Sequence, residues 1–128
     1  MTAVAEIEFN EIVLPVDANH YGTLYGPKGL ALLGRAAFLG ATRFCGQSLV
    51  MVAADSIEFL APAPVGSMLR AHARVISVGR RSLRVEVEVS IEDVVRPVLR
   101  GCFSLVAVNE QGQPTALSVA QKYAASPV

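Results

Sequence analysis

Gly29-Leu30-Ala31-Leu32-Leu33-Gly34-Arg35-Ala36-Ala37-Phe38-Leu39-Gly40-Ala41-Thr42-Arg43-Phe44-Cys45 has the length and composition of one long apolar helix and contains no carboxylate. Pro27 stands just ahead of it, where a missing backbone N–H costs little and a fixed φ suits the first turn. Lys28, Arg35 and Arg43 are spaced by seven and eight residues. At about 100° per residue they fall on one narrow stripe, leaving Leu, Ala, Phe and Gly around the rest of the circumference. Such a helix is expected to be covered on most sides.

The segments around it read as strands. Residues 6–13 alternate loosely and are rich in β-branched types, ending before Pro15. Residues 48–59 are strand-like up to Ala61-Pro62-Ala63-Pro64, and residues 68–78 alternate Leu69, Ala71, Ala73 and Val75 against Arg70, His72 and Arg74. Residues 81–92 give the clearest period of two: Leu83, Val85, Val87, Val89 and Ile91 share one face, and Ser82, Arg84, Glu86 and Glu88 the other. Residues 97–108 form a last strand, closed by the turn Asn109-Glu110-Gln111-Gly112. One strand, one helix and four strands on short connections make an α+β domain with a mostly antiparallel five-stranded sheet packed on a single helix.

The 128 residues fit one domain, residues 1–128. A hydrophobic fraction of 52% beside 17% charged residues leaves more apolar surface than one copy covers, so self-association is expected. Lys plus Arg equals Asp plus Glu at 11 each, which offers nothing to a phosphate backbone; a nucleic-acid partner is not expected. No apolar run approaches the roughly 20 residues of a membrane span and the opening residues lack a signal-peptide pattern, so the reading is cytoplasmic with no membrane partner. Cys45 and Cys102 lack metal-ligand spacing with His20 or His72, are too few for a disulfide framework, and read as small buried hydrophobes. No metal or separate cofactor is expected.

Between the first strand and the helix lies Asp17-Ala18-Asn19-His20-Tyr21-Gly22-Thr23-Leu24-Tyr25-Gly26. This loop, with Asp55-Ser56-Ile57-Glu58-Phe59-Leu60, Pro64-Val65-Gly66, Val78-Gly79-Arg80-Arg81-Ser82-Leu83 and Phe103-Ser104-Leu105-Val106-Ala107-Val108-Asn109, resembles in order and spacing the hotdog-fold acyl-CoA thioesterases of the acyl-CoA hydrolase branch. The resemblance covers nearly the whole chain. It implies a five-stranded sheet wrapped around the helix, homodimers paired edge to edge, further assembly to tetramers or hexamers, and active sites between subunits. It also implies an acyl-CoA substrate, whose coenzyme A enters as part of the substrate. The thioester carbonyl would sit at the helix N-terminus, where backbone N–H groups and the macrodipole stabilise an oxyanion. Gly22, Tyr25, Gly26 and Pro27 suit that end of the helix.

The resemblance further implies an Asp in the helix, acting with an Asn from across the dimer. Asn19 matches the Asn, and the Asp position is Gly34. No shift of register supplies it, because residues 18–54 contain no Asp or Glu. His20, with a suitable intrinsic pKa, is the candidate substitute base, and Asp17 either orients its imidazole or serves the loop as a turn carboxylate. Asn19 orients water or thioester, or closes an Asx-turn. Asp55 and Glu58 are carboxylates that could arrive from elsewhere. Arg80, Arg81 and Ser82 either contact coenzyme A phosphates or form a solvated turn. Gly34 opens room for an acyl group or for a crossing helix. The expected function is hydrolysis of an acyl-CoA to free acid and coenzyme A, weakened by the missing carboxylate. The alternatives are a non-catalytic acyl-CoA or acyl-carrier binding protein and, third, a hydratase, which would need the same helix carboxylate.

Overall fold

Alternation in the fourth strand organises the molecule. In the computed structural model, which describes residues 5–92, 94 and 96–118, β1 spans Glu6–Ile12, α1 Gly26–Cys45, β2 Leu49–Phe59, β3 Met68–Val78, β4 Ser82–Ile91 and β5 Pro97–Ala107, with a single 3-10 turn at Pro15–Asp17. The strands form one antiparallel sheet in the order β1-β3-β4-β5-β2. Central β4 has Leu83, Val85, Val87 and Val89 at 1% exposure or less. Register carries this apolar parity sideways: Phe9 lies opposite Ala71, Ala71 opposite Val89 and Val89 opposite Leu99, while Val85 faces Phe103. The helix packs on this face through Leu32, Leu33, Ala36, Ala37, Ala41 and Phe44.

Small residues set how closely helix and sheet approach. A Cβ on Gly40 would stand 3.1 Å from the Cβ of Ala73 and 3.6 Å from Ile7 Cγ1, so the absence of a side chain lets α1 rest on β3. Gly40 therefore serves the sheet contact. Gly46 ends the helix in the left-handed conformation at φ 67°, its N–H donating to the Thr42 carbonyl at 2.8 Å.

The outer face of the sheet is a set of charged columns. Glu6 and Glu8 stand on β1, Arg70, His72 and Arg74 on β3, Glu86 and Glu88 on β4, Arg100 on β5, and Asp55 and Glu58 on β2. Cross-strand pairs follow: Arg74 to Glu86 at 2.9 Å, Arg100 to Glu58 at 2.7 Å, and Arg84 to both Asp55 oxygens at 3.0 Å. His72 lies 3.4 Å from Glu6. Cys102 belongs to this face, opposite Glu86 and Asp55, and is half-buried, because strand parity turns it away from its neighbours Gly101 and Phe103. Cys45 is also half-buried but packs against the core, so of the two thiols Cys102 is the one that departs from the buried hydrophobe that composition suggests.

One copy covers the helix less than its composition leads one to expect. Leu30, Phe38 and Leu39 are 42 to 46% exposed, and along edge strand β2 so are Val50, Met51 and Val52, at 40 to 58%. The pairing of β2 with β5 carries two register shifts, one on either side of the stretch from Ala53 to Asp55, and Ser56 adopts φ 55°. Among the described residues, no helix is long and apolar enough to cross a membrane.

Candidate active site at the head of the central helix

The loop from Asp17 to Gly26 is held by its own hydrogen bonds. The Asn19 side-chain oxygen accepts from the backbone N–H groups of Tyr21 at 3.0 Å and Thr23 at 3.2 Å, its amide nitrogen donates to the Thr23 hydroxyl at 3.1 Å, and its backbone N–H donates to the Thr23 carbonyl at 2.9 Å. Asn19 thus closes an Asx-turn that fixes the hairpin-like loop, with Gly22 at φ 80°. The far side is stitched to the segment after β2: Leu24 N–H donates to the Ala63 carbonyl at 2.8 Å and Val65 N–H to the Gly22 carbonyl at 3.0 Å. Tyr25 N–H donates to the Asp17 carbonyl at 2.9 Å, aiming the chain into the helix.

Asp17 and His20 are not brought together. Asp17 accepts from the Leu14 N–H at 3.2 Å and lies 3.8 Å from the Lys28 ammonium, which makes it a turn carboxylate. His20 is exposed at the loop tip, its ring 4.0 Å from that of Tyr21, with no hydrogen-bond partner among the described residues. Arg35, two turns along α1 from Lys28, is held by Glu11 at 2.7 Å.

At the head of α1 the Ncap residue Tyr25 makes no side-chain cap hydrogen bond, and Pro27 has no N–H. The first-turn N–H groups of Gly26 and Lys28 therefore have no side-chain cap from Tyr25, and Gly26 borders the opening beside the helix head. That opening is a cavity of about 330 Å³ lined by α1, the end of β2, the segment after it and the start of β5. None of its lining side chains carries a charge, and the Tyr25 phenol is its one hydroxyl. Sequence patterns gave no signal for these walls, since Phe59, Leu60, Val98 and Leu99 come from segments far from the loop.

Gly34 lies five residues along the helix from Gly29, the last helical residue that lines this cavity. A Cβ there would meet only Met51 Cε, at 3.9 Å, so the position is open to a side chain. Neither candidate replacement carboxylate reaches it within one copy. Asp55 is tied to Arg84, whose hydrogen bond holds its carboxyl below the usual range, and Glu58 is tied to Arg100, whose guanidinium is pushed up in turn. Both stand on the outer face of the sheet. Arg80 and Arg81 lie in the β3–β4 turn and Ser82 opens β4, with the Arg81 carbonyl accepting from Ala107 N–H at 2.9 Å. From Leu99, beside the cavity, to Ala107 is roughly 26 Å of strand, so the structure does not place these three at the cavity of their own subunit. Among the described residues no group of His, Cys, Asp or Glu is arranged to hold a metal ion.

A five-stranded antiparallel sheet curled on one long helix, with an apolar cavity at the helix head, is the hotdog architecture. Residues 21–98 match the family model described as the thioesterase superfamily. The chain belongs to that superfamily. It is 38% identical over 107 residues to an acyl-CoA thioester hydrolase, itself named as uncharacterized, of Zymomonas mobilis, covering 80% of this chain and 72% of that one. With Protein VdlD of Helicobacter pylori it shares 32% identity over 81% of this chain, and it spans only 62% of that protein. Among solved structures, an asparagine-to-alanine variant of Staphylococcus aureus acyl-CoA hydrolase in complex with coenzyme A superposes with TM-score 0.84 at 27% identity, covering 89% of this chain and 71% of that one. A hexameric acyl-CoA thioesterase without ligand superposes with TM-score 0.83 at 30% identity, over 89% and 76%.

Proposed function

We propose that this chain is an acyl-CoA thioester hydrolase, releasing a free acid and coenzyme A, and that its turnover is slow. The observation that carries the reading is the uncapped head of α1 opening on an apolar cavity in a fold shared with acyl-CoA hydrolases. The thioester carbonyl takes the Gly26 and Lys28 N–H groups as its oxyanion partners, the Tyr25 ring and Gly22 border the approach, and the acyl group enters the cavity. Water attacks the carbonyl carbon, the tetrahedral oxyanion collapses, and the thiolate of coenzyme A leaves with a proton from solvent.

Slow turnover follows from what lies near Gly34. In the S. aureus hydrolase structures the altered asparagine and the altered aspartate stand fifteen residues apart, the separation of Asn19 and Gly34 here. A threonine altered in a further variant stands seventeen beyond that aspartate, and seventeen beyond Gly34 is Met51. Counted without gaps, two polar positions are replaced by an apolar pair in mutual reach. His20, exposed beside Asn19 and free of Asp17, is the base we assign, presented to the site of a second copy. The unpaired β2 edge and the bare face of α1 at Leu30 and Phe38 are the surfaces for that copy, and hexameric relatives support further assembly. Arg80, Arg81 and Ser82 then contact coenzyme A phosphates at a neighbouring subunit's site.

Thiol release from acyl-CoA by wild type and His20→Ala tests this. A measurable wild-type rate that falls about a hundredfold in the variant supports it, in line with the usual contribution of a general base. No release from any acyl-CoA removes the hydrolase reading in favour of a binding protein, and an unchanged rate in His20→Ala removes the base.

A further inference from the structure

The geometry points to the cavity beside Gly29 as a closed-ended acyl subsite that selects medium-chain acyl groups, with an optimum near eight carbons. This rests on the hydrolase reading and adds its substrate class. The polar part of coenzyme A does not suit the cavity: its amides and phosphates would meet Leu24, Phe59, Leu60, Val98 and Leu99, with no charged side chain to pair them. An unbranched hydrocarbon tail has no such need.

The floor is fixed. Gly29 is buried, and the Leu99 Cδ1 atom lies 3.1 Å from where a Gly29 Cβ would stand, so helix and β5 pack closely at this wall of the cavity. Leu99 itself is 4% exposed and held in the core. The mouth, by contrast, is formed by Phe59 and Leu60, 55% and 43% exposed. Chain length is thus measured from the helix head to Leu99. At roughly 30 Å³ for each methylene-sized group, about the share of one water, 330 Å³ holds about eleven groups, and the carbonyl and sulfur take part of that. About eight carbons remain, whereas a palmitoyl chain would need roughly 480 Å³ on the same measure.

The test follows thiol release from straight-chain acyl-CoAs from acetyl to palmitoyl, together with calorimetric affinities for non-hydrolysable S-alkyl-CoA thioethers of the same lengths. Both should rise about fourfold for each added methylene up to near eight carbons and then stop rising or fall. Leu99→Ala, which lowers the floor, should move the optimum about three carbons longer. Ala61→Phe, at an exposed position on the rim where folding is not at stake, should move it to butyryl or shorter. A flat profile, an optimum at either end of the series, or an optimum unmoved by Ala61→Phe would overturn the subsite. Failure of the hydrolase reading looks different: no thiol is released, yet the thioethers still bind with the same length dependence.

Discussion

Two glycines of α1, six residues apart, should respond to alanine with opposite signs. At Gly34 the new methyl meets only Met51 Cε at 3.9 Å, an ordinary contact, so Gly34→Ala gains helix propensity of about 0.5–1 kcal/mol with no steric cost. At Gly40 the methyl would press on Ala73 Cβ at 3.1 Å, and that carbon cannot rotate away because it is anchored directly on the β3 backbone. Overpacking of this kind costs about 1–3 kcal/mol and outweighs the propensity gain, leaving Gly40→Ala less stable by about 1 kcal/mol. For a chain of this size that separation amounts to roughly 3–6 °C in each direction. Thermal melts followed by far-UV circular dichroism, at one fixed protein concentration because self-association contributes, read both values. A Gly34→Ala protein destabilised as much as Gly40→Ala would refute the argument, showing that a neighbouring chain fills the space over Gly34 and that no room is kept there for a ligand or a carboxylate.

The edge of β2 gives a further expectation: Val52→Lys, placing a charge at a 58% exposed position of this edge strand, should shift the protein toward monomer in sedimentation velocity and lower thiol release with it, and an unchanged mass would remove β2 from the interface. The Asp55 to Arg84 pair sets an acid limb. Asp55 is held below its ordinary pKa by the Arg84 hydrogen bond, so its contribution to stability is present above the ordinary carboxylate range, roughly pH 4, and is lost as pH falls through its lowered value. Arg84→Met should move the acid unfolding midpoint to higher pH, and coincident acid titrations would contradict that cause. Asn19→Ala, which removes the oxygen holding the Tyr21 and Thr23 N–H groups, should loosen the loop and make residues 19–23 the first cleaved in limited proteolysis; an unchanged cleavage pattern would show the turn to be held by its backbone bonds alone.

The strands with strict alternation were legible because parity follows from the backbone alone, as with Leu83, Val85, Val87 and Val89. The helix begins at Gly26, three residues ahead of the apolar run, since Gly26 and Pro27 bring no hydrophobic period with which to mark a first turn. In β2 the register shifts break the period of two, and the surface it leaves bare was foreseeable only as an excess of apolar composition. Asx-turn chemistry at Asn19 and a turn role for Asp17 were readable locally. The cavity was not, because Leu99 and Phe59 become neighbours of Gly29 only through the pairing of β2 with β5, which no local pattern encodes. Likewise, the outward placement of Asp55 and Glu58 depends on how register shifts set their parity.

Gly34 is the position on which the proposed slow turnover depends. Placing a carboxylate there, where a side chain has room, should raise the rate of thiol release from octanoyl-CoA at least tenfold over wild type, and adding Met51→Thr to Gly34→Asp should raise it further. A wild type that is already fast, with Gly34→Asp neutral or harmful in a folded protein, would contradict it.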